Sequence, residues 1–274
     1  MSVAVKFWGV RGSIACPSPQ HVVYGGNTSC LEVFAGDHRI IMDAGTGIRN
    51  LGFEFLKDGV KKGVLMLTHT HWDHINGFPF FGPAFMANSE FTICAGHLSE
   101  VGGVENVLAN QMANPTFPVP LDALQAELNF EDFKAGASWT MEGDVTVKTA
   151  PLNHPNGSTA YRVEHGGKSV CYVTDTEHII GRPDETVLSF IAGADIVVYD
   201  CTYTDAEFKP KIGWGHSTWQ EGVRLCKQAG VKQLAIFHHA PDHNDDFMRQ
   251  VETDAREMWA GTVVARELMI ITPA

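Results

Sequence analysis

The stretch "LTHTHWDHINGFPFF" runs from Leu67 to Phe81. It places His69, His71, Asp73 and His74 within six residues, directly after the apolar run that starts at Val64. Crowded imidazoles are costly, because each ring needs hydrogen-bond partners and protonated neighbours repel. A cluster this dense needs something to hold. In an extended segment, residues two apart point the same way. His69 and His71 can then reach one ion from one side. Asp73 continues that spacing, and His74 follows as the chain turns. Two donors on one ion and two on a neighbour is the simplest solution. Imidazole and carboxylate suit Zn²⁺, and also Mn²⁺ or Fe²⁺. No cysteine pair accompanies the histidines, which argues against a structural zinc finger.

The chain has 274 residues, room for one large domain with a sizeable core. Its net charge is −12, and no Lys or Arg run exceeds Lys61-Lys62. Duplex nucleic acid and anionic membranes attract clustered positive charge, so both are unexpected as main partners. A small anionic substrate remains compatible, since a metal supplies positive field locally. The six cysteines are scattered and none forms a C-x-x-C pair. They read as reduced, buried thiols. No apolar run reaches membrane-spanning length, and the N-terminal "VAVKFWGV" is too short for a secretion signal. The expectation is a cytoplasmic protein.

Short apolar runs ending at Gly, Pro or Asp predict strands at Val3–Trp8, Cys30–Ala35, Arg39–Asp43, Val64–Thr68, Phe91–Cys94 and Val145–Thr149. Further strands are predicted at Tyr161–Glu164, Ser169–Thr174, Ile196–Tyr199, Gln233–Phe237 and Leu268–Thr272. Helices are predicted at Ile48–Lys57, Val101–Met112, Glu185–Ile191, Thr218–Gln228 and Asp245–Trp259. Such a mixture implies a layered α/β sandwich. No linker or composition shift divides it, so residues 1–274 read as a single domain. "GNTSCLEVFAGDHRIIMDAGTG" and "GSTAYRVEHGGKSVCYVTDTE" share a plan of strand, turn and strand ending in Asp43 and Asp175. The echo suggests two related halves facing each other. The loop "QMANPTFPVP", Gln111–Pro120, offers Met and Phe side chains for a pocket or, more simply, a satellite core.

Other histidines stand at suggestive places. His154 lies in a loop after a strand, His216 precedes a helix in "GWGHST", and His238 and His239 end the strand "LAIF". His38, His97, His165 and His178 sit in turn-like or polar settings and read as solvated. From "THTHWDH" to "FHHAP" the pattern resembles the metallo-β-lactamase superfamily of metal-dependent hydrolases. The resemblance implies a four-layer αββα sandwich with the active site at its edge. It implies that His69, His71 and His154 hold one metal, that Asp73, His74 and His238 hold a second, and that Asp175 bridges both. For the last histidine, the position just after "IF" favours His238 over His239. An aspartate rather than a cysteine at 175 favours a two-metal site sharing a hydroxide. Two ions about 3.5–4 Å apart clamp a phosphoryl group and bring water's pKa from 15.7 to about 7.

The segment "YDCTYTDAEFKPKIGWGHSTWQ" resembles that of ribonuclease Z-like phosphodiesterases, in which a strand-end acid pairs with a histidine. Here these are Asp200 and His216, beside Asp73 in the catalytic set. The carboxylate would keep the imidazole protonated to meet a phosphate oxygen or a departing alkoxide. The opening "GVRGSIACPSPQHVVYGGNTSC" also resembles that group, with Gly9, Gly12, Gly25 and Gly26 letting backbone approach the site. Asn27 and Asp43 are expected to orient metal-bound histidines. The basic arm with which ribonuclease Z grips transfer RNA is missing between His154 and Asp200. The expected activity is therefore cleavage of a small phosphodiester, a cyclic nucleotide or a ribose cyclic phosphate. Nucleic acid is an unexpected partner, and a homodimer is a possible assembly. Alternatives are a thioester or lactone hydrolase of the same fold, a tRNA 3′-processing-like ribonuclease, or a non-catalytic metal-binding module.

Overall fold

The apolar runs become two seven-stranded sheets packed face to face. A computed structural model of the chain describes residues 3–98 and 100–273. The first sheet contains, side by side in chain order, β1 (Val3–Gly9), β2 (Cys30–Ala35), β3 (His38–Met42), β4 (Lys62–Leu67), β5 (Glu90–Ala95) and β6 (Glu127–Asp132). The second runs in the same way through β7 (Ser138–Met141), β8 (Val145–Leu152), β9 (Ser158–His165), β10 (Lys168–Val173), β11 (Ile196–Asp200), β12 (Gln233–Phe237) and β13 (Thr262–Val264). Strand β14 (Ile270–Ile271) returns to pair antiparallel with β1. The helices among the described residues are α1 (Ile48–Asp58), α2 (Trp72–Ile75), α3 (Gly103–Gln111), α4 (Glu185–Ile191), α5 (Asp205–Phe208), α6 (Trp219–Gln228) and α7 (Asp245–Met258).

Side-chain alternation makes the layers. Ile40, Met42 and Met66 point between the sheets, where they meet Tyr172, Val198 and Phe237. Ile41, Leu65 and Leu67 point the other way, against Ile48, Leu51 and Phe55 of α1. In the second sheet Val197, Leu234 and Ile236 face Val223 of α6 and Val251 of α7. Strands buried on both faces need apolar residues at nearly every position, which is why "VLML" and "LAIF" read as continuous runs. The result is the expected αββα sandwich, with three apolar interfaces between four layers.

The internal echo is also borne out in topology. Strands β1–β2 and β2–β3 pair antiparallel, then β3–β4, β4–β5 and β5–β6 pair parallel. Strands β8 to β13 repeat the same series of two antiparallel and three parallel pairings.

Several expectations need correction. Strand β4 ends at Leu67, and Asp73 does not continue an extended spacing, because α2 begins at Trp72. Strands β6, β7 and β13 went unpredicted. The first, "ELNFED", is acidic and half-exposed, and β7 and β13 are short edges. The predicted strand Leu268–Thr272 shrinks to Ile270–Ile271. In the Pro-rich loop Met112 is buried in the α1/α3 core and Phe117 packs against it, the satellite-core outcome.

Candidate metal centre

Parallel strands deliver their C-terminal ends to one edge of the sandwich, the edge where α/β folds place their sites. Asp43 follows β3, His69 to His74 follow β4, Asp175 follows β10, Asp200 ends β11 and His238 follows β12. His154 comes from the turn after β8. Three of these residues leave their strands in the left-handed region: Asp43 at φ 61°, Asp175 at φ 55° and His238 at φ 62°. Asp and His adopt that region more readily than most residues. The sharp turn points each side chain back over the sheet edge.

Two groups of donors assemble there, overlapped by a third made of Asp175, Asp200, His216 and His238. His69, His71, His154 and Asp175 offer ligand atoms within 4.8 Å of one another, as do Asp73, His74 and His238. Asp175 lies between the two groups. Its Oδ2 is 3.5 Å from His69 Nε2 and 3.7 Å from His154 Nε2, while its Oδ1 is 3.2 Å from both His74 Nε2 and His238 Nε2. Asp73 Oδ2 sits 3.3 Å from His74 and 3.2 Å from His238. The backbone N–H of Ser13 donates to that same oxygen at 2.7 Å.

The outer nitrogens fix the inner ones. His74 donates from Nδ1 to Asp43 at 2.8 Å, and His154 from Nδ1 to the Gly215 carbonyl at 2.7 Å. Thr68 gives its hydroxyl proton to Asp43 and accepts from His69 Nδ1 at 3.1 Å. Thr202 gives its proton to Asp200 and accepts from His238 Nδ1 at 2.9 Å. With Nδ1 protonated in all four rings, each Nε2 presents a lone pair inward. His74 Nε2 and His238 Nε2 then face each other at 3.3 Å. His69 Nε2 is buried without a hydrogen-bond partner. Converging lone pairs and carboxylates repel unless a cation sits among them, so the donor set fits divalent metal.

Electrostatics agree. Burial lowers the pKa of His69, His71 and His154, which favours the neutral, ligating form. Burial also opposes a charge on His74, but Asp175, Asp73 and Asp43 outweigh it and raise its pKa. The same three carboxylates would favour a metal cation. Burial disfavours the charge on Asp73, yet His74 and His238 hold its carboxyl below the usual range. For Asp175, His238, His74 and His69 likewise overcome burial.

His216 abuts the cluster. Its ring stacks on His238 with centroids 5.0 Å apart, and its Nδ1 lies 3.1 Å from Asp200 Oδ2. Burial alone would discharge it, but Asp200 and then Asp175 raise its pKa to about 9.

The chain belongs to the metallo-β-lactamase superfamily. The model of the beta-lactamase superfamily domain matches residues 38–239. A ribonuclease Z from Lactococcus lactis subsp. cremoris is 31% identical over 250 residues, covering 74% of this chain and 79% of that one. A ribonuclease Z from Brevibacillus brevis is 32% identical over 106 residues, so the match spans 37% of this chain and only 32% of that relative. The metallo-β-lactamase fold protein YhfI from Bacillus subtilis superposes with a TM-score of 0.73 at 19% identity, covering 98% of each chain. The last likeness speaks to fold alone.

Within this metallo-β-lactamase frame some expectations fail. Asn27 orients no histidine of the cluster. Its side chain donates to Glu267 at 3.0 Å, tying the loop before β2 to the C-terminal segment. Of the early glycines only Gly12 abuts the cluster, where a Cβ would lie 2.4 Å from the His238 ring. Gly9, Gly25 and Gly26 face Thr28, Glu267 and Cys16 instead. His239 turns away and donates to the Ala265 carbonyl at 2.8 Å. His178 is not solvated. It is buried, stacked on Phe208 at 4.0 Å and bonded to Ser217 at 2.8 Å. His97 is half-buried, and its pKa falls to about 4 through burial and then His71 and His154.

Sequence reading also missed residues. Glu177 accepts N–H bonds from Gly213 at 2.7 Å and Gly215 at 2.9 Å. It thereby fixes the carbonyl that orients His154. Tyr172 reaches Asp43 at 2.8 Å from the opposite sheet. The "TDTE" turn held the only signal for Glu177, and no local pattern could mark Tyr172.

Proposed function

We propose that the chain is a metal-dependent phosphodiesterase holding two divalent ions, Zn²⁺ or else Mn²⁺ or Fe²⁺, and acting on small phosphodiesters. In this reading His69, His71 and His154 would hold one ion, Asp73, His74 and His238 would hold the other, and Asp175 would serve both. Bound divalent ions supply Lewis-acid stabilisation of a phosphoryl group and a nucleophile at neutral pH. The chain's own residues do the rest. Asp43 and Thr68 hold His74 and His69 in their ligating tautomers. Gly215, fixed by Glu177, does so for His154.

The observation that carries the reading is the His216–Asp200 pair beside the cluster. With Nδ1 committed to Asp200, a protonated His216 carries its other proton at Nε2, for a phosphate oxygen or for the departing alkoxide. As the P–O bond breaks, that proton goes to the leaving oxygen, the water's hydroxyl stays on phosphorus, and the water's other proton passes to solvent, from which His216 is protonated again. A thioester leaves as a stable thiolate and needs no such acid, which disfavours the thioester alternative; a lactone, which also expels an alkoxide, is tested directly by its own hydrolysis. A non-catalytic module would have no use for the pair.

The ribonuclease Z relatives support a second reading, in which the phosphodiester is the 3′ end of a tRNA precursor. Nucleic acid thus stands as a possible substrate, against the expectation from net charge. No helix among the described residues is long and apolar enough to cross a membrane.

The test is hydrolysis by metal-loaded protein of 2′,3′- and 3′,5′-cyclic nucleotides, bis(p-nitrophenyl) phosphate, S-lactoylglutathione, a lactone and a tRNA precursor. Turnover of the cyclic nucleotides or the tRNA precursor, reduced in His216→Ala, is expected, with bis(p-nitrophenyl) phosphate, whose phenolate leaves unaided, less affected. Turnover of the thioester alone, unaffected by His216→Ala, would overturn the proposal.

A further inference from the structure

Trp72 is 83% exposed, whereas Trp8 and Trp219 are buried at 4% and 7%. It is not a free surface residue. Its neighbours His71 and Asp73 both face the metal cluster, and the Asn76 N–H donates to its carbonyl at 2.7 Å. Its backbone thus lies between two residues of the cluster and opens the one-turn helix α2. The side chain shares a cleft of about 460 Å³ with His71, Asp73, Asp175 and His216. Small-molecule sites commonly enclose about 300–1,000 Å³. Among the described residues, no aromatic ring stacks on Trp72 and no cation lies over it. Leaving an indole in water costs hydrophobic free energy that a planar ligand would recover.

We propose that Trp72 is the stacking platform for the base of a nucleotide, so that among small phosphodiesters the site takes those bearing a nucleobase. This rests on the phosphodiesterase reading above and narrows it. With the phosphate at the cluster, the base lies against the indole at the mouth of the cleft. Stacking is a neutral handle that every base accepts. It suits a chain of net charge −12 that offers no basic run to grip a long phosphate backbone.

The experiment uses the metal-loaded full chain and two substrates, adenosine 2′,3′-cyclic phosphate and the base-free 1-O-methylribose 2,3-cyclic phosphate. Trp72→Ala is expected to raise KM for the nucleotide by roughly 5- to 150-fold, the range for one lost base–aromatic stack. Its kcat, its metal content and its kinetics on the base-free compound stay near wild type. Trp72→Phe keeps most of the affinity. A binding arm needs no turnover: adenosine 2′-monophosphate quenches indole fluorescence in the wild type, and the quench is lost in Trp72→Ala. Equal losses on both substrates, no loss on either, or a quench that persists in Trp72→Ala would overturn the proposal. So would a dimer that dissociates in Trp72→Ala without any nucleotide quench. If the wild type cleaves neither compound but the quench depends on Trp72, the platform stands and the phosphodiesterase reading falls.

Discussion

Asp175 is the residue on which the two donor groups meet, and its backbone dictates how it should be tested. At φ 55° it occupies a region that Asn tolerates and Ala does not. Asp175→Asn therefore keeps the turn and removes only the charge, and elemental analysis should show loss of metal from a folded chain. Gly12→Ala tests the second group alone. The new methyl would press on the His238 ring, so metal held by Asp73, His74 and His238 should weaken while the other group keeps its ion. His216→Ala leaves the donor groups intact. It should lower kcat by about 10²- to 10⁴-fold, the worth of one positioned proton donor, with metal content unchanged. The residues that converge were legible because "THTHWDH" is a local signal and because the resemblance to the metallo-β-lactamase superfamily singled out His154, Asp175 and His238 among the polar residues that follow apolar runs. Asn27 was misplaced because an amide near a glycine pair says nothing of which neighbour it meets. Its partner, Glu267, lies 240 positions away.

Elements decide how firmly these residues are held. The loop between α5 and α6 depends on Glu177, since the N–H groups of Gly213 and Gly215 both end on one carboxylate oxygen. A Cβ at residue 215 would lie 2.3 Å from His154 Nδ1, so the chain passes too close for any side chain. Glu177→Ala should loosen the Gly215 carbonyl, and metal affinity should drop about 10- to 100-fold, as for other partners of metal-bound histidines. Glu177→Gln retains an acceptor and should recover part of that affinity. A calorimetric metal titration distinguishes these outcomes. Farther from the site, Asp195, just before β11, ties in the starts of β10 and β12 by accepting from the Ser169 N–H at 2.9 Å and from Lys232 at 2.7 Å. Burial opposes its charge, but Lys232, the Ser169 N–H and Lys168 hold its pKa below the ordinary value. A carboxyl depressed in the folded state contributes stability above the unfolded pKa of about 3.9 and loses it as pH falls below that. Asp195→Asn should thus cost on the order of 1 kcal/mol at pH 7, given the exposed Lys232 ammonium. Urea unfolding at pH 7 and pH 3 should show that difference shrinking in acid. The five longer helices and most strands were legible from periodicity, whereas the one-turn helices α2 and α5 were too short to show one. Strands β6, β7 and β13 were not, because edge strands carry half-exposed, mixed side chains.

At the scale of the molecule, the sandwich brings to one edge candidate metal ligands that lie up to 169 positions apart, from His69 to His238. The duplicated strand order explains why Asp43 and Asp175 stand at equivalent strand ends, one tethering His74 and the other facing both donor groups. That equivalence was visible as a faint echo in the sequence. The tyrosine that crosses from the second sheet to Asp43 was not, because contacts between sheets have no sequence period. Metal ions gripped by side chains from both sheets would fasten the halves together, so chelation should lower the melting temperature reversibly. The central claim is tested most directly by anomalous diffraction from crystals loaded with Mn²⁺. The account predicts two peaks, one among His69, His71 and His154 and one among Asp73, His74 and His238, each within ligand distance of Asp175. Density at neither place, or a lone ion that Asp175 does not touch, would contradict it.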